Sequence, residues 1–284
     1  MNTNLLASKA LLCTLKTGAW RATKLHRAES LAENERHGTG DRAKVLIRLT
    51  DHTALNALGK LHSEARGSHY RLTLPSVDDG FRLLPCGREM EHSRTMQTYA
   101  DKHTALVSDF LADYADESAQ APTRLNGLYD PAQWPSEDAV RGKFSFATRY
   151  LPVPEAGQWQ DWLRETAEEG RTELRERVGA ALRAMAGKLS VKDAVFRDSL
   201  VANLADIVSL AADLNLTDDP EIAALAAQSA ELARADPQTL RDNAAVRATS
   251  ATAATSPSSS FREAVRSRWT PSRSARAWYS TSMS

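Results

Sequence analysis

The sequence predicts a mainly α-helical protein with a small α+β N-terminal part, a long antiparallel helical hairpin or bundle, and a disordered C-terminal tail. Three observations carry this. Residues 157–235 read as three successive helices with an apolar stripe and recognisable caps. The first 86 residues instead mix short period-two apolar runs with Gly- and Pro-containing turns. Beyond residue 249, Ser, Arg, Thr and Ala take over, and Glu263 is the only acid. The expected divisions are a 1–86 head, an 87–248 helical bundle with an extended insertion near 122–154, and a 249–284 tail.

The chain has 284 residues, enough for one large or two small domains. Lys+Arg and Asp+Glu number 36 each, so the net charge is zero. Global charge therefore does not drive binding to a polyanion, although a local basic patch can. No apolar run approaches the roughly 18 residues that cross a bilayer, and the first 20 residues lack the pattern of a signal peptide. Cys13 and Cys86 stand far apart without metal-type spacing, which argues against a disulfide framework and makes a reducing cytoplasm the expected location.

In order, residues 10–20 suit a strand, with Leu11, Cys13 and Leu15 on one face. Residues 21–41 suit a short helix and a loop. A strand at 43–49 leads to a helix over 51–65, capped by Thr50 or Asp51. Two short strands are expected at 71–74 and 81–84. Residues 89–114 read as one helix whose Met96, Tyr99, His103, Leu106 and Phe110 form a coiled-coil-like seam. Pro122 and the Asn126–Gly127 pair should break it. A short helix over 136–141 and an extended piece over 143–151 follow, the latter burying Phe144, Phe146 and Tyr150.

Within 157–189, Trp159, Leu163, Ala167, Leu174, Val178, Ala181, Met185 and Leu189 mark an apolar stripe. Gly170, Gly179 and Gly187 each lower helix propensity by about 1 kcal/mol, and Gly187 is a candidate helix end. Ser190 and Asp193 form a capping box for the next helix, which buries Phe196, Leu200, Leu204, Ile207 and Ala211. Asp219 then caps a third helix, with Pro220 at its first position and Glu221 at the positive end of the dipole.

Motifs for chemistry are sparse. His62, His69, His92 and His103 show neither zincin nor finger spacing, so structural roles are expected and no metal ligand is assigned. Cys86, in LPCGRE, is the thiol a hydrolase could use, yet no elbow or oxyanion motif surrounds it. The HGTGD run at 37–41 is not a P-loop, and no cofactor is expected. Asp218, Asp219 and Glu221 are accounted for by capping. The charged face with Arg164, Glu168, Arg171 and Arg175 is a solvated face and the natural partner surface. The tail offers two readings. One is a basic, aromatic segment touching nucleic acid through Arg262, Arg266, Arg268 and Trp269. The other is a non-homologous terminus of shifted GC-rich coding.

Residues 196–247, beginning FRDSLVANLADIVSLAADLNLTDDPEI, resemble a family of bacterial and phage proteins that carries a domain-of-unknown-function label. WPSEDAVRGKFSF (134–146) and KTGAWRATKL (16–25) fit the same pattern, and LNLTDDP (214–220) is its most specific part. The family's genes often lie in prophages, plasmids and integrative elements, beside a MoxR/cobaltochelatase-type AAA+ ATPase and a von Willebrand A protein. The tail departs from the family's usual Ala-rich helical end. The resemblance implies a non-enzymatic, cytoplasmic adaptor with those two proteins as partners. The alternative is a nucleic-acid-binding accessory protein of phage or plasmid DNA metabolism. Neither reading involves a membrane, and the oligomeric state stays open.

Overall fold

The structure, a computed structural model, describes residues 4–78, 80–189, 198–234 and 250. It is mostly helical with a small four-stranded antiparallel sheet. The chain forms two compact units, Met1–Gly170 and Arg171–Ser284. The division thus falls well beyond the expected residue 86. The cause is a long-range strand pairing: Ser145–Pro152 runs antiparallel to Ala10–Gly18, from Leu11 opposite Pro152 to Gly18 opposite Ser145. This pairing draws the whole 87–152 stretch into the N-terminal unit.

In the first unit, α1 (Asn4–Lys9) leads into β1 (Ala10–Gly18). The short strands β2 (Thr23–Leu25) and β3 (Leu46–Arg48) form a separate ribbon around α2 (Arg27–His37). Buried Asn34 holds the loop leading to that ribbon: its Nδ2 donates to the Ala43 carbonyl and its Oδ1 accepts from the Ala43 amide. Then follow α3 (Thr53–Leu72), β4 (Leu74–Pro75), β5 (Arg82–Pro85), α4 (Glu89–Ala112), α5 (Tyr114–Leu125), α6 (Glu137–Arg141) and β6 (Ser145–Pro152). The sheet order is β4-β5-β1-β6.

Side chains alternate across this sheet, as pleating requires. Leu12 and Leu83 are cross-strand partners on one face. There Leu83 and Leu74 receive the start of α7 (Ala156–Leu189), and a Cβ on Gly170 would touch both leucines. Cys13 lies on the other face, with Arg82 and Tyr150 as its cross-strand partners. The α3–α4 pair covers that face.

Several local expectations are corrected. His52, rather than Thr50 or Asp51, caps α3, its Nδ1 accepting from the Ala54 amide. Thr50 supports the cap by accepting from the His52 amide and hydrogen-bonding Glu117. α3 runs on to Leu72, because Leu58, Leu61, His62, Ala65, His69 and Leu72 extend one buried stripe, and the strand expected at 71–74 is only Leu74–Pro75. Pro122 does not end a helix: α5 restarts at Tyr114 and runs past Pro122 to Leu125, where the Asn126 amide donates back to the Pro122 carbonyl. Trp159 is not part of the buried stripe, being 46% exposed. Gly157 has non-helical dihedrals, and the helix passes Gly187 to end at Leu189.

The second unit takes the rest of α7 with α8 (Asp198–Leu214) and α9 (Pro220–Ala233), and α8 packs along α9. Leu174, Val178, Met185, Leu204, Ala211 and Ile222 are buried. Asp219 caps α9 as expected, Oδ1 accepting from the amides of Glu221 and Ile222. The Ser190–Asp193 box, Phe196 and the Leu200 side chain lie outside the described residues.

Candidate functional site

The α3–α4 interface carries four buried histidines in two layers. His69 stands over His92, and His62 stacks on His103 with ring centroids 5.2 Å apart. The order of these pairs shows that the two helices run antiparallel. The spacing of seven along α3 and eleven along α4 keeps each pair on the contact face.

The first layer is a continuous polar chain. The Tyr150 hydroxyl lies 2.8 Å from His92 Nδ1, and His92 Nε2 lies 2.8 Å from His69 Nδ1. Cys13 completes the group: one ligand atom from each of Cys13, His69 and His92 falls within 4.8 Å of the others, and all three residues are buried. Arg82 borders the group, with Nε donating to Thr73 Oγ1 at 2.7 Å and its guanidinium over the Tyr70 ring.

Burial dominates the electrostatics. It holds His69 down to about 3, helped by the neighbouring His92 and Arg82. Burial also holds His92 to about 4, against the opposing pull of Glu91. The Cys13 thiol is pushed up to about 12 by burial, with the Arg82 charge working against this. At neutral pH the chain therefore presents two neutral imidazoles and a protonated thiol. Such a thiol is a poor nucleophile, while neutral imidazole nitrogens are good metal ligands.

The second layer is more apolar. Phe146 lies against both rings, and neither His62 Nε2 nor His103 Nε2 has a hydrogen-bonding partner among the described residues. His62 is lowered to about 4 by burial, with His103 and Arg66 adding to the effect.

Next to these layers sits an aromatic cluster. Trp20 contacts Phe110, Tyr114 and Trp134 at centroid distances of 5.8, 6.1 and 6.4 Å. The two early phrases of the sequence, around Trp20 and Trp134, thus meet in one core, and the Tyr114 hydroxyl donates to the Pro135 carbonyl. From Trp20 a cleft of about 230 Å³ opens outward, lined by Thr23, Arg48, Asp51 and His52 among others. Thr23 and Arg48 are partners in the β2–β3 ribbon, as are Leu25 and Leu46. The pleat puts both pairs on one face, where Leu25 is 41% and Leu46 65% exposed.

The residues singled out from sequence fare differently. Cys86 is exposed and begins a single 3-10 turn, whereas His69 and His92 gather around Cys13. Arg175 and Arg171 turn inward: Arg175 bonds Asp219 at 2.7 Å and Glu221 at 2.8 Å, and Arg171 lies 3.6 Å from Asp219. They hold α9 to α7 instead of presenting a free surface. Glu168 is half-buried, and Arg164 remains exposed with Asp161 beside it. Arg262, Arg266, Arg268 and Trp269 lie outside the described residues. The Cys13–His69–His92 group was hidden because its members come from three elements, and no linear spacing encodes their meeting.

No family model, no curated protein and no solved structure matches the chain. No helix among the described residues is long and apolar enough to cross a membrane.

Proposed function

We propose that the chain is a non-enzymatic adaptor or accessory protein of a phage or mobile element, acting with a MoxR-type AAA+ ATPase and a von Willebrand A protein. The observation that carries the binding part is the β2–β3 face. Two exposed leucines lie in register on the ribbon face whose Thr23 and Arg48 line a cleft together with Trp20 and Asp51. Apolar side chains rimmed by charge make a protein-docking surface. The titratable core groups are sealed from solvent, which suits a scaffold. The expected long antiparallel helical hairpin or bundle belongs to the same proposal. The ATPase partner comes from the family resemblance alone.

A pull-down from the host, with and without nuclease, tests the reading. Nuclease-resistant recovery of the ATPase by the wild type, lost in a Leu25→Asp/Leu46→Asp variant of unchanged melting temperature, supports it. Partners that disappear with nuclease favour the nucleic-acid reading instead.

A further inference from the structure

We propose that Cys13, His69 and His92 bind a single transition-metal ion of the zinc class. The three residues come from β1, α3 and α4, and the ion would tie the sheet to the helices that cover it. Their ligand atoms already lie within 4.8 Å of one another, and the two imidazole nitrogens are 2.8 Å apart. Tetrahedral zinc, with bonds of about 2.0–2.3 Å, holds its ligand atoms roughly 3.3–3.7 Å apart. The difference is about 1 Å, a distance that side-chain rotation can close. A thiolate with two imidazoles suits zinc better than magnesium or calcium.

The surroundings fit as well. Tyr150, the cross-strand neighbour of Cys13, meets His92 at the nitrogen facing away from His69. That is the position from which an outer partner fixes ring orientation and tautomer. The Nδ1 of His92 then donates to the Tyr150 oxygen, leaving Nε2 as the metal ligand. His69 and His92 are neutral and lose no proton to solvent: the proton that His69 Nδ1 donates to His92 Nε2 moves to His69 Nε2, which frees both facing nitrogens for the metal. Binding exchanges the Cys13 S–H bond for an S–metal bond, and the proton leaves to solvent. Arg82 favours the thiolate but opposes the cation, and its bond to Thr73 and its place on Tyr70 draw it aside.

The test uses the full chain without a polyhistidine tag. Metal content is measured after purification, and the stripped protein is titrated with Co²⁺, a spectroscopic stand-in for Zn²⁺. The expected result is about one ion per chain and a thiolate-to-cobalt charge-transfer band with intense tetrahedral visible bands. Cys13→Ser should abolish the charge-transfer band and Cys86→Ser should leave it intact. Tyr150→Phe should weaken affinity about 10-fold or more. Should Cys13→Ser not fold, the wild-type spectrum still decides. No charge-transfer band in the folded wild type, or one that follows Cys86, overturns the proposal and leaves a hydrogen-bonded polar core.

Discussion

His69 Nδ1 and His92 Nε2 face each other at 2.8 Å across the α3–α4 interface, with Cys13 beneath them in the sheet. A polar contact this deep must satisfy its own hydrogen bonds, since an unpaired buried group costs about 1–3 kcal/mol. Tyr150 closes the chain on one side. The contact therefore fixes the register of α3 against α4, where an apolar pair would tolerate sliding.

The two thiols should react very differently. Cys86 is exposed, while Cys13 is fully buried and raised to about 12. Alkylation at neutral pH, read by mass spectrometry, should label Cys86 alone until denaturant opens the core.

Acid should loosen the α3–α4 interface through its second layer. His62 is lowered to about 4 and His103 is lowered by burial, whereas an unfolded His takes its proton near 6.5. Below pH 6.5 the unfolded chain gains protons that the folded chain refuses, so stability falls as pH drops. The loss continues until pH passes about 4, where His62 protonates in the folded state. Melting temperatures measured from pH 7 to pH 4 should decline, and less so in a His62→Gln/His103→Gln variant.

Asp219 should be the most costly polar residue of the second unit. Its carboxylate caps α9 and takes the Arg175 guanidinium, while Asn215 bonds its backbone on both sides. Asp219→Ala removes cap and ion pair together and should cost about 2–4 kcal/mol. Asp219→Asn keeps the cap, so urea denaturation should place it between the two.

Two glycines should respond in opposite ways. A Cβ at Gly18 would sit 2.6 Å from Ser145 Oγ and 3.1 Å from the Lys143 carbonyl, so Gly18→Ala should destabilise by about 1–3 kcal/mol. At Gly170 a Cβ would meet Leu74 and Leu83 at 3.4–3.8 Å, ordinary contact within a helix. Gly170→Ala should gain up to about 1 kcal/mol. Calorimetry of both variants checks the sign.

Where information is local, the sequence was legible. Asp219 caps the helix that Pro220 opens, as expected, and the short helix expected over 136–141 is there as Glu137–Arg141, with Ser136 as its cap. Part of the α4 stripe was also legible: of Met96, Tyr99, His103, Leu106 and Phe110, the first, third and last are buried and the other two half-buried. The end of α3 was lost because His69 reads as polar, although it continues the buried stripe. The boundary between units depends on β6 reaching β1 across more than a hundred residues, and the cysteine–histidine group depends on that sheet and on the α3–α4 alignment. Arg175 looked like surface because its acceptor, Asp219, lies two helices away.

The central claim is that the buried Cys13–His69–His92 group is a metal centre. Cobalt titration of the metal-free full chain tests it most directly. The account predicts a saturating thiolate charge-transfer band at one equivalent, absent in Cys13→Ser and present in Cys86→Ser. A folded wild-type chain that shows no such band would contradict it.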